Sequence, residues 1–120
     1  MIIRTDMYKL ARECKDKYDF YDARDTIFEY GEDNLKLVGE VKYATNLARR
    51  NAIIGISNEA KELSSEMIEN PEFNMKRIKY LQGDIKELTK ENSTNYQATA
   101  LRIFHGKIGN KDLVAKINQI

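Results

Sequence analysis

Two groupings in this 120-residue chain carry side chains whose types and spacing could do chemistry. The first is Asp25 together with Glu40-Val41-Lys42. If residues 25–30 and 35–43 are strands, Glu40 and Lys42 lie two apart and share one face, and Asp25 opens the neighbouring strand with a second carboxylate. Two carboxylates suit a hard divalent cation that binds oxygen and keeps several waters. Such a cation polarises a phosphoryl oxygen or activates a water. The second grouping is Arg102, His105, Lys107 and Lys111. Arg102 and His105 are three apart and share a helix face, and with the lysines they could bind an anion or a phosphate. The plainer reading is that basic residues near a helix C-terminus complement its dipole.

Read as strands, Asp25, Glu40 and Lys42 resemble the core motif of the PD-(D/E)xK nucleases. The resemblance implies two carboxylates holding Mg²⁺ beside a scissile phosphate, with Lys42 positioning or activating the attacking water. It covers only residues 25–42 and departs from the pattern at two points. Arg24 stands where the motif has proline, and the chain beyond residue 43 reads as helix rather than as the completion of a βαβ unit.

The elements that must position these residues follow from apolar periodicity. Met7, Leu10, Ala11, Cys14 and Tyr18 form one stripe of an amphipathic helix over 5–18, with Thr5 or Asp6 able to cap it. Residues 25–43 are rich in β-branched and aromatic side chains around the turn residues Gly31-Glu32-Asp33-Asn34, which favours a β-hairpin. The alternative is a helix capped at Asp19, running through Ile27 and Phe28 and ended by Gly31. From Ala44 the pattern is helical: Ala44, Ala48, Ala52, Ile56, Ala60, Leu63 and Met67 recur at threes and fours. Gly55 marks a point for a kink or break, since glycine costs a helix interior about 1 kcal/mol relative to alanine. Asn70-Pro71 restarts the helix, and Met75, Ile78, Leu81, Ile85 and Leu88 follow on one stripe. So short a connection makes 44–91 a long antiparallel helical hairpin. Ser93 or Thr94 caps a further helix ended by Gly106, and Asn110 caps a last one carrying Leu113, Val114 and Ile117. The expectation is one mainly α domain over 1–120: an N-terminal helix, a β-hairpin at 25–43, the helical hairpin, and two short C-terminal helices.

Composition narrows the function classes. Lys plus Arg number 20 against 19 Asp plus Glu, and the sequence pI is about 7.8, well short of the domain pI above about 9 that marks an electrostatic nucleic-acid binder. Charge is uneven along the chain, with residues 1–34 at −3 (six basic, nine acidic) and residues 92–120 at +3 (four basic, one acidic). An acidic and a basic end suit head-to-tail self-contact or separate partner surfaces. One Cys and one His cannot furnish a zinc site in a monomer, no glycine-rich phosphate loop is present, and we expect neither metal nor cofactor. No apolar run approaches the ~20 residues of a membrane span, and Met1–Asp6 lacks the apolar segment of a signal peptide. A lone Cys fits a reducing compartment, hence a cytoplasmic protein. Abundant Lys, Ile, Asn and Tyr point to an A/T-rich genome, and a phage or other mobile element would place the chain in a host cytoplasm.

On these grounds the chain is expected to be a non-catalytic regulatory or inhibitory protein working through protein–protein contacts. The alternatives are a nucleic-acid-binding regulator using the basic C-terminal helices, the Mg²⁺ nuclease, and a protein sequestering a small phosphorylated ligand at the Arg102/His105 region. A helix over 44–69 would be about 39 Å long at 1.5 Å per residue, more than a small domain can cover. Leu47, Ile53 and Ile54 fall off its main stripe, and we expect them to contact another copy in a closed homo-oligomer.

Overall fold

The computed structural model describes residues 4–120, so the N-terminal tripeptide of the leader reading lies outside the described residues. Six α-helices follow in order: α1 (Arg4–Arg12), α2 (Lys17–Asp33), α3 (Val38–Ser65), α4 (Pro71–Thr89), α5 (Thr94–Ile108) and α6 (Lys111–Asn118). A single 3-10 turn, Leu35–Leu37, joins α2 to α3. The mainly α class holds, but the β-hairpin expected at 25–43 is absent, and no strand occurs among the described residues. Contacts cluster in two compact units, residues 1–55 and residues 56–120, and α3 contributes to both.

In the first unit α2 replaces the expected first strand. Asp16 caps it by accepting a hydrogen bond from the Asp19 backbone N–H at 2.8 Å, three residues ahead of the cap that the helical alternative assigned to Asp19. Phe20, Ala23 and Ile27 are all buried, and their spacing of three and four is a helical stripe that outweighs the β-propensity of Thr26, Ile27 and Phe28. Gly31 does not end α2, which continues to Asp33. A Cβ at Gly31 would meet Val41 Cγ2 at 3.2 Å, so the small residue lets α2 lie close to α3. The chain then turns at Asn34, whose side chain accepts from the Lys36 N–H, and α3 starts at Val38, six residues before the expected helical start.

The expected helix over 5–18 is two helices broken at Glu13–Asp16. The break is held against α3: Asn51 Nδ2 donates to the Ala11 carbonyl at 3.1 Å, supplying a partner to an end carbonyl of α1. Lys15 passes so near Gly55 that an added Cβ would overlap its carbonyl oxygen and lie 2.8 Å from its carbonyl carbon. Gly55 is therefore a close-approach residue, and α3 runs through it unbroken for 28 residues, where a kink or break was expected. The alanine stripe is as read: Ala44, Ala48 and Ala52 are wholly buried. Arg49, one of the basic pair Arg49-Arg50, is also buried, its guanidinium 5.0 Å from the Phe20 ring centre.

In the second unit the antiparallel turn from α3 to α4 is present. Asn74 on α4 donates to the carbonyls of Leu63 and Glu66 at 3.2 and 3.1 Å, and Arg77 reaches Glu59 at 3.4 Å, so α4 runs back along residues 56–65. Asn70 occupies the cap position of α4 with Pro71 in its first turn, but its side chain makes no cap bond. Ile78, Leu81, Ile85 and Leu88 are buried as the stripe requires. Ser93 caps α5 through the Tyr96 N–H, and Asn110 caps α6 through the Leu113 N–H. Gly106 lies inside α5; the helix ends at Gly109, whose φ of 74° is left-handed, a conformation glycine adopts without steric cost.

Candidate functional site

The loss of the strands dissolves the geometry that gave Asp25, Glu40 and Lys42 their chemistry. Asp25 is exposed on α2, with Arg24 at 3.9 Å. Glu40 and Lys42 lie in the first turns of α3, and residues two apart on a helix point about 200° apart rather than along one face. No cluster of three His, Cys, Asp or Glu side chains able to hold a metal occurs among the described residues.

The C-terminal basic residues are only partly brought together. His105 on α5 hydrogen-bonds with Gln82 of α4, its Nε2 lying 2.6 Å from the Gln82 Oε1. Gln82 is buried and donates in turn to Asn118 Oδ1, the last residue of α6, at 3.0 Å. The lone histidine thus ties α5, α4 and α6 into one polar relay. Burial, with a smaller effect from Lys86, holds its imidazole below the ordinary histidine range. Arg102, Lys107 and Lys111 are exposed. At 3.6 residues per turn, Arg102 points away from the buried Phe104, while His105 and Lys107 fall on opposite flanks of α5.

Between α1 and α2 lies a cavity of about 280 Å³ lined by Glu13, Asp19 and Asp22 with Cys14. Burial, and then the carboxylates of Asp19, Asp16 and Glu13, push the Cys14 thiol up to about 11. The group is protonated at neutral pH and donates weakly to the carbonyls of Leu10 and Asp19. It behaves as a small core residue rather than a thiolate nucleophile.

The three residues assigned to a contact between copies differ in placement. Ile53 is buried at 3 % exposure, Leu47 is half-buried, and Ile54 is 36 % exposed. More apolar surface lies where strands were expected. Leu35 is 78 % exposed, Val38 61 % and Phe28 46 %; Leu35 and Val38 stand at the corner where α2 turns into α3, and Phe28 lies in the second half of α2. A strand reading pairs these side chains across a hairpin and so hides them. The helical stripe Phe20, Ala23 and Ile27 was the signal that would have turned Phe28 outward. In the second unit, Ile68 and Phe73 are exposed around the α3–α4 turn.

No protein-family model, curated protein or solved structure matches the chain. No helix among the described residues is long and apolar enough to cross a membrane.

Proposed function

We propose that this chain is a non-catalytic binding protein that acts through protein–protein contacts, the first of them with a second copy of itself. The observation that carries the reading is the exposed apolar corner of Leu35 and Val38, with Phe28 exposed on the helix that leads into it. Apolar side chains held in water forgo about 25 cal/mol for each Å² that a partner could cover, and clustered exposed apolar residues mark interaction sites. A regulatory or inhibitory role belongs to the same class, because it needs a docking surface and no catalytic constellation.

Light scattering on a sizing column tests the proposal. At tens of micromolar the mass should reach at least twice the 14.0 kDa of one chain. Leu35→Glu combined with Val38→Glu should lower it to that of one chain while circular dichroism stays helical, since both sites are exposed. A parent protein that elutes as a single chain at every concentration overturns self-association. An unchanged mass in the double variant overturns the role of the corner.

A further inference from the structure

The charge along α2 and α5 is sorted by face. On α2 the exposed charged side chains are Asp22, Asp25, Glu29, Glu32 and Asp33, all acidic, while Lys17 and Arg24 are half-buried. Tyr18, Asp22, Asp25, Glu29 and Glu32 follow one another at four, three, four and three, which is a single stripe of the helix. Tyr18, 62 % exposed, opens it and Phe28 flanks it. On α5 the opposite holds. The helix contains no acidic residue at all, and Asn95, Thr99, Arg102 and Gly106 recur at four, three and four on its outer side, flanked by the exposed Ile103 and Lys107. Nothing lies within 4 Å of where a Gly106 Cβ would stand, so a second helix can approach the backbone closely there.

We infer that α2 of one copy packs along α5 of a second copy, its Asp22, Asp25 and Glu29 stripe facing Arg102, with Lys107 reaching in from the flank of α5. This rests on the self-association proposed above and names the surface that meets the α2 side. The two helices are matched in length, 17 and 15 residues, or about 26 and about 23 Å. Both outer faces carry the four-three spacing that lets ridges of one helix enter grooves of another. Phe28 against Ile103 supplies an apolar contact, and the opposed charges supply the rim that fixes register and partner. Exposed ion pairs are weak singly, so each neutralised pair should loosen the contact by about two- to fivefold in dissociation constant, and added salt should loosen it further.

Two charge-reversed chains test the pairing. The first carries Asp22→Lys, Asp25→Lys and Glu29→Lys; the second carries Arg102→Glu and Lys107→Glu. All five sites are exposed, and both Lys and Glu suit a helix interior. Each variant alone brings like charges together and should run as a single chain. An equimolar mixture restores opposite charges at both contacts and should recover the parental mass. The milder pair Asp25→Asn and Arg102→Gln, which asks less of the fold, should flatten the salt dependence of the parent's association. Variants that keep the parental mass alone, or a mixture that stays monomeric while helical, overturn the pairing but leave self-association standing. A parent that is a single chain at low salt overturns both. Arg102→Glu with Lys107→Glu leaving the mass intact, yet abolishing salt-dependent binding of a labelled DNA duplex, would assign these cations to phosphates and overturn the pairing as well.

Discussion

At Gly55 two physical effects pull a substitution in opposite directions. In an unencumbered helix interior Gly→Ala gains about 1 kcal/mol from backbone entropy. Here the new methyl would overlap the Lys15 carbonyl, and overpacking against backbone costs about 1–3 kcal/mol or more because the loop cannot rotate out of the way as a side chain does. The overlap wins. Gly55→Ala should lower the urea midpoint of unfolding, and a raised midpoint would show that the α1–α2 loop does not press on α3. His105 gives a second test at this scale. Its imidazole is lowered from its ordinary value by burial and by Lys86, so the unfolded chain takes up a proton before the folded one does. The stabilisation is complete above the unfolded value of about 6.5 and is lost as pH falls through it toward the folded value. With one histidine in the chain, its ring signals in a proton NMR titration need no assignment. They should titrate below a denatured reference, and Lys86→Met should move the midpoint part of the way back. A native midpoint at or above the reference would contradict the buried relay.

Among elements, those with a long apolar stripe and polar caps were legible. Ala44, Ala48, Ala52, Ile78, Leu81, Ile85 and Leu88 are buried as their spacing required, and Ser93 and Asn110 cap as their types required. The segment 25–43 was not, because its β-branched and aromatic content imitates a hairpin while its packing is decided by contacts distant in sequence. Gly31 against Val41 and Arg49 over Phe20 are invisible to local propensity. The candidate site inherited that error. Asp25, Glu40 and Lys42 converge only on strands, whereas the exposed corner of Leu35 and Val38 follows only from helices. Asn74 teaches a related lesson. It reads as a polar interruption of α4, yet it is buried and its amide serves two carbonyls at the end of α3. Asn74→Leu should cost about 0.5–1.5 kcal/mol, because both carbonyls lose the amide while keeping the backbone N–H groups of Glu66 and Glu69. Asn74→Asp should cost more, because it turns a donor into a carboxylate facing two carbonyl oxygens. Denaturant titration of the three proteins ranks them, and an aspartate variant as stable as the parent would mean that the α3–α4 turn does not depend on this amide.

For the whole molecule, the grouping of contacts into residues 1–55 and residues 56–120 has a consequence for cooperativity. Helices α1 and α2 contact one another within the first group, and α4 contacts α5 and α6 and α5 contacts α6 within the second. Where packing is local, cooperative opening follows the same boundaries, and segments exchange at their own free energies rather than at one global value. Only α3 belongs to both groups. A perturbation confined to the first unit should therefore loosen that unit first. Gly55→Ala provides one, since its clash is with Lys15. In hydrogen exchange, amides around Phe20 and Ile27 on α2 should lose protection in this variant by a large factor. Amides around Ile85 and Leu88 on α4 should stay near their parental rates. The α3 amides should divide, with those preceding Gly55 following α2 and those beyond Ile56 following α4. Equal loss of protection along the whole chain would show instead that α3 transmits strain from end to end and that the 120 residues open as one cooperative body.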